Sequence, residues 1–189
     1  IILNQTYIIA EIASAHEGQP QLALDIARHA INTGADGVKF QIFNRNLLLT
    51  RKNPYFEEFG EIEIDPNKWE YIFKQISIEN IDIIVEPYDL ESLQFAAKTG
   101  YVQAYKIPAA NLGDTDLIRA ALITEKPLFL GVGGAQWVEI EEVVSLLKGT
   151  DYTLICGFQN FPTKLEDSNL FHILKLKKFF KCSVGYADH

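Results

Sequence analysis

The sequence predicts an α/β protein on a parallel sheet, of the (β/α)8 TIM-barrel class, with seven strands present. Three observations carry this reading. Short β-branched runs alternate with amphipathic helical stretches along the whole chain. The runs are near-continuously apolar, as strands are when helices cover both faces of a parallel sheet. The first strand–helix turn, "EIASAHEG", lacks the glycine fingerprint of a doubly wound dinucleotide fold, so the barrel fits better.

In order, "YIIAEI" (7–12) reads as the first strand. "PQLALDIARHAINTG" follows as a helix opened by Pro20 and capped by Gly34. "GVKFQIF" (37–43) is the second strand, and a polar and aromatic loop runs from Asn44 to about Asp65. A helix containing "NKWEYIFKQISI" leads to the third strand, "IDIIVEPY" (81–88), and "LESLQFAAKTG" is a helix closed by glycine. "AYKIPA" (104–109) is the fourth strand, with "DTDLIRAALIT" behind it, its aspartates suited to a helix N-terminus. "PLFLGVG" (127–133) and "VEIEEVVSLLKG" form the fifth strand and its helix, "YTLICGF" (152–158) and "DSNLFHILKLKKFF" the sixth. "CSVGY" (182–186) is the seventh. A closed barrel needs an eighth strand and typically about 250 residues. With 189 residues and no methionine, the chain is expected to be one incomplete domain, 1–189, cut before that strand.

Composition narrows the function. Nearly half of the residues are apolar, enough for a real core. A net charge of −8 argues against nucleic acid and anionic membranes as partners, since both need clustered basic surface. No apolar run approaches the ~20 residues of a membrane span, and with no charged-then-apolar stretch at its start no signal peptide is expected. Two cysteines, Cys156 and Cys182, make no disulfide framework and read as reduced thiols. "NQT" (4–6) is a glycosylation triplet with meaning only in a secreted chain. A cytoplasmic protein is expected.

In parallel α/β folds the functional side chains gather at the C-terminal strand ends. Those ends carry Glu11 and His16, Lys39 and Gln41, Glu86 and Asp89, Lys106 and Asn111, and the glycines of "GVGG". Gln159, Asn160 and Phe161 follow, then Asp188 and His189. Lys39 and Lys106 each interrupt an apolar strand, where a solvated lysine is out of place. Two ammonium groups in one mouth would make a site for phosphate or carboxylate. Alternatively each lysine pairs with a buried carboxylate such as Glu11 or Glu86. His189 follows the seventh strand, where a metal or proton-transfer role is open to it, although a lone histidine is a weak signal.

These residues resemble a known family, the N-acetylneuraminate (sialic acid) synthases and their relatives in spore-coat polysaccharide biosynthesis. "IIAEIASAHEG" resembles Ala-Glu-Ile-Gly-x-Asn-His-x-Gly, and "GADGVKFQ" is similar to Gly-Ala-Asp-x-Val-Lys-Phe-Gln. "VEPYD" looks like Ser-Thr-Pro-Phe-Asp, "YKIPAAN" like Phe-Lys-Ile-x-Ser-Gly-Asp, and "VGYADH" like Val-Gly-Tyr-Ser-Asp-His. The match runs along essentially the whole chain. It implies condensation of phosphoenolpyruvate with an N-acetylmannosamine-like amino sugar. A divalent ion, Mn2+ or Mg2+, would polarise the aldehyde. It further implies that Lys39 and Lys106 hold the anionic groups, that Glu11 and Gln41 contact the sugar, and that His189 is one of two histidine metal ligands. Asn111, Gly133, Gln159, Phe161 and Asp188 would border the substrates, in a homodimer when full length.

The departures from that pattern are systematic. Glu86 stands for a threonine, Ala109 for a serine, Gly131 and Val132 for a Ser-Thr pair, Ala187 for a serine, Phe161 for a tyrosine and Ala15 for an asparagine. A hydrogen bond to a charged group is worth roughly 1.5–3 kcal/mol, so losing three would cost about 4–9 kcal/mol of phosphate affinity if the terms added. Amides of Gly131, Gly133 and Gly134 could compensate as an anion nest. Otherwise Glu86 salt-bridges a lysine and the ligand has changed. Two alternatives therefore stand beside the synthase: a non-catalytic sugar- or anion-binding protein, and a Schiff-base aldolase using Lys106 or Lys39.

Overall fold

The apolar runs become strands at the places the sequence predicts, in a computed structural model that describes residues 6–158 and 160–189. Asn4 and Gln5 of the glycosylation triplet, and Gln159, lie outside the described residues. The fold class is α/β with the βα repeat of a (β/α)8 barrel and, among the described residues, seven strands. The chain divides into two units, one ending at Ala104 and one running Tyr105–His189.

In the first unit β1 (Ile9–Glu11), β2 (Gly37–Ile42) and β3 (Asp82–Pro87) pair in parallel, with Glu11 opposite Lys39 and Gln41 opposite Glu86. Around them lie α1 (Pro20–Asn32), α2 (Arg45–Leu48), α3 (Phe56–Ile62), α4 (Pro66–Ile76) and α5 (Leu90–Thr99). Helix α4 shows how the pattern becomes packing. Trp69, Ile72, Phe73 and Ile76 recur at helical spacing and are all buried. Phe40 of β2 meets Trp69 and Phe73 with ring centroids 5.5 and 5.7 Å apart. Asp89, a strand-end candidate in the sequence, is instead a structural cap. Its carboxylate accepts from Ser92 N (2.8 Å) and Ser92 Oγ (2.9 Å) at the start of α5, and from Asn44 N (2.8 Å).

The stretch 44–65, expected as loop, folds into α2 and α3, of 4 and 7 residues. Segments this short complete barely one or two turns, too few for a hydrophobic period to emerge. Asn44 starts α2 by accepting from Asn46 N at 3.0 Å. At the end of α1 the cap is Thr33, with Gly34 just beyond it at φ +90°.

β4 (Ala104–Ile107) begins on the last residue of the first unit. Within the second unit it pairs in parallel with β5 (Leu128–Gly131), β5 with β6 (Tyr152–Cys156), and β6 with β7 (Ser183–Tyr186). Helices α6 (Thr115–Ile123), α7 (Trp137–Leu146) and α8 (Phe171–Phe180) alternate with them. Asp114 caps α6 by accepting from Leu117 N at 3.0 Å, and Gln136 with Glu139 forms a capping box on α7. Cys156 and Cys182 are both free thiols, as expected. Among the described residues no helix is long and apolar enough to cross a membrane.

Candidate functional site

The ends of β1, β2 and β3 bring Glu11, Lys39 and Glu86 together. Register decides this. Glu11 lies opposite Lys39, while Glu86 lies opposite Gln41, two residues further along the same face of β2. The Lys39 ammonium makes ion pairs with both Glu11 and Glu86. Its side chain is 7% exposed, that of Glu86 1%, and that of Glu11 40%. Burial works against the charged ammonium, but the two carboxylates outweigh it and raise the Lys39 pKa. Of the two sequence readings of Lys39, the paired one is realised, with both carboxylates rather than one.

That pairing counts against the Schiff-base alternative at Lys39, because a protonated ammonium is no nucleophile. Gln41 is half-buried on the same strand. Tyr88, which the sequence reading passed over, has its hydroxyl pKa raised by burial first, then by Glu86 and Glu11. The one sequence sign of its involvement was its place in "VEPYD", just beyond the strand.

The turn after β1 is built around His16, which is 2% exposed. Gly18 N donates to its Nδ1 at 3.0 Å, and its ring stands edge-on to Trp69 at 5.5 Å. An accepting Nδ1 requires the neutral ring, and burial lowers the pKa accordingly. Because the folded pKa lies below the unfolded value of about 6.5, this contribution to stability is complete above that pH and is lost as pH falls through it. Urea unfolding should therefore show the protein weaker at about pH 5.5 than at about pH 7.5, with a smaller difference in His16→Gln. Equal slopes in both proteins would show that His16 is not buried neutral.

In the second unit, Lys106 sits half-buried in β4, and Asn111 ends the short 3-10 turn Ala109–Asn111. Both are engaged with neighbouring groups. Gly131 explains one departure from the serine-rich pattern. A Cβ there would stand 2.8 Å from Ala109 N, so a serine would not fit without moving the turn. Gly157 is similar, since its Cβ would meet Ala187 O at 2.5 Å. Small residues at these strand ends let backbone fill the space that hydroxyls would need. Gly133 lines a cleft of about 780 Å³ together with Gly134, Thr115, Glu139 and Glu142. The two glutamates make it poorly suited to an anion, which counts against the glycine nest.

Asp188 and His189 are exposed after β7. His189 Nδ1 lies 3.0 Å from Phe158 O, and because a carbonyl only accepts, Nδ1 carries a proton, which in the neutral ring leaves the lone pair on Nε2. One imidazole nitrogen is thus suited to a metal. Among the described residues, however, no three His, Cys, Asp or Glu side chains group as a cage for one. Phe161 is 86% exposed and precedes Pro162 through a cis peptide bond.

Comparison with known proteins places these residues in context. The model of the NeuB family matches residues 26–189. The chain is 31% identical over 187 residues to "Uncharacterized protein MJ1065" of Methanocaldococcus jannaschii, covering 97% of this chain and 55% of that protein. It is 29% identical over 206 residues to the N,N'-diacetyllegionaminic acid synthase of Campylobacter jejuni, covering 99% of this chain and 61% of that one. It superposes with a TM-score of 0.93 and 26% identity on the N-acetylneuraminic acid (sialic acid) synthetase of Leptospira borgpetersenii, solved with citrate. That match covers 98% of this chain and 66% of the other. The chain therefore spans a little over half the length of the curated relatives it matches.

Proposed function

Because the chain belongs to the NeuB family, we propose that it is the condensing part of a carbon–carbon bond-forming transferase that makes a sialic-acid-like nonulosonate. The enol carbon of phosphoenolpyruvate attacks the aldehyde carbon of an open-chain, N-acetylmannosamine-like sugar. Water adds to the neighbouring carbon and phosphate leaves by cleavage of the C–O bond, taking the bridging oxygen with it, so one water is consumed and one phosphate released. Such a product would serve polysaccharide biosynthesis.

The observation that carries this reading is the family match over residues 26–189, within which the two strand lysines, Gln41 and Asp188–His189 all stand. Lys106, half-buried at the end of β4, is the cation for the anionic groups of phosphoenolpyruvate. Lys39, shared between two carboxylates, orients Glu11, whose 40% exposure leaves it able to accept a sugar hydroxyl. His189 would offer Nε2 to a divalent ion, manganese or magnesium, whose chemistry is to polarise the aldehyde.

A second reading, a sugar-binding protein without turnover, is favoured by one observation: the Glu86 carboxylate already occupies Lys39. Calorimetry and phosphate-release assays on the intact protein, with phosphoenolpyruvate and N-acetylmannosamine, with and without Mn2+, separate the two. Metal-dependent phosphate release that requires both substrates is expected. A folded, metal-loaded protein that binds the sugar and releases no phosphate is the second reading.

A further inference from the structure

We propose that His16 is a positioning residue for Glu11: its ring anchors the turn after β1, and through that turn it holds the Ala13 amide against the Glu11 carboxylate. This deepens the function proposed above and rests on it for the identity of the ligand at Glu11 as a sugar.

The backbone supplies the first observation. Between Glu11 and α1 three residues stand in the left-handed region, Ala13 at φ +45°, Glu17 at +50° and Gly18 at +72°. Only the last is a glycine, so the other two are strained and must be held there by their surroundings. Within the bend, Ala13 N donates to Glu11 Oε1 at 3.0 Å, while Oε2 meets the Lys39 ammonium. The carboxylate plane is fixed as long as both contacts hold.

The second observation is what holds the bend. Ala15 N donates to Ile12 O at 3.2 Å and Glu17 N to Ser14 O at 3.0 Å, but both bonds stay inside the turn. At its start, Ile12 N donates to Lys39 O at 3.0 Å and ties the chain to β2. At its end the tie is His16. The ring is 2% exposed, stands edge-on to Trp69 of α4 at 5.5 Å, and accepts from Gly18 N on Nδ1 at 3.0 Å. Ala13 lies between these two ties, and its methyl group offers no hydrogen bond to hold the bend. His16 therefore acts on Glu11 without touching it.

The test separates the ring from its acceptor. His16→Phe keeps an aromatic edge for Trp69 and loses the acceptor. His16→Asn loses the ring and keeps an acceptor, Oδ1, close to the place of Nδ1. A packing role alone makes phenylalanine the milder change; positioning makes asparagine the milder. In the ligand-free, intact protein the Ala13 amide proton, deshielded by the carboxylate, should move upfield in His16→Phe and stay in place in His16→Asn. Calorimetry with N-acetylmannosamine should show binding about 10-fold weaker in His16→Phe and within about 2-fold of wild type in His16→Asn. Phenylalanine as the milder change on both readouts, or an Ala13 amide that moves in neither variant, overturns the proposal.

Should His16→Phe not fold, acid replaces the substitution. In Glu11→Gln the side-chain oxygen still accepts from Ala13 N but does not titrate. There, protonation of the His16 ring should shift the Gly18 and Ala13 amides with one midpoint, and an Ala13 amide indifferent to it overturns the idea. The two proposals fail separately. A wild type that binds no N-acetylmannosamine defeats the sugar reading and leaves the Ala13 amide to decide this one. Sugar binding that His16→Phe leaves intact, although the Ala13 amide has moved, defeats this one alone.

Discussion

Lys39→Met is expected to lower the unfolding free energy by about 3–5 kcal/mol at neutral pH, the range for removing one partner of a buried ion pair. Methionine approximates the lysine stem in volume, so little of the loss comes from a cavity. Most comes from Glu86, 1% exposed, which loses its ion pair with the Lys39 ammonium; the more exposed Glu11 contributes less. Two further outcomes identify the cause. The deficit should shrink as pH falls, because a protonated Glu86 is cheaper to bury than an ionised one. Adding Glu86→Leu should recover much of the loss, since replacing a whole buried pair by apolar groups is often close to neutral. Urea unfolding followed by Trp69 fluorescence in a Trp137→Phe background reads the first unit. A loss below about 1 kcal/mol would mean that the pair is solvated and Glu86 exerts no hold on Lys39.

That such a cluster exists was half visible in the sequence. Alternation of apolar runs with helical stretches is a local property, and it placed every strand and every long helix close to where each lies. A lysine inside "GVKFQIF" is also a local anomaly, so Lys39 stood out. What it touches is not local. The pairing with Glu86 depends on the register of β2 against β3, which brings together residues 47 apart in the chain. Sequence spacing could name Glu86 as a partner but could not choose between a partner and a phosphate. The approach of Gly131 to Ala109 was hidden for the same reason. Each residue read as a lost hydroxyl, and only their proximity shows one substitution accommodating the other. His189 was read as a ligand through resemblance, and the structure adds the orientation of its ring through Phe158 O.

Gly18, in the "HEG" of the first strand–helix turn, carries the other large expected effect, and its matched control lies elsewhere in the same unit. Gly18 and Gly100 share a left-handed backbone, both with φ +72°. An alanine in that conformation costs roughly 1–2 kcal/mol at either position. Their surroundings differ. A Cβ on Gly100 meets nothing within 4 Å. A Cβ on Gly18 collides with the carbonyl oxygen of Glu61, and lies 3.1 Å from that residue's carbonyl carbon and 3.3 Å from Ile62 Cα. These are backbone atoms of α3, which cannot rotate away as a side chain would, so the turn or the helix must shift at about 1–3 kcal/mol more. Gly18→Ala should therefore destabilise by about 2–5 kcal/mol and Gly100→Ala by about 1–2 kcal/mol. The shift should also be felt at His16, whose Nδ1 accepts from the Gly18 amide, and so in the emission of Trp69 against it. Equal costs for the two variants would remove α3 from its place against the turn. A larger cost at Gly18, with altered Trp69 emission, would place the short helices of 44–65 among the elements that hold the β1 turn, and Glu11 before it, in position.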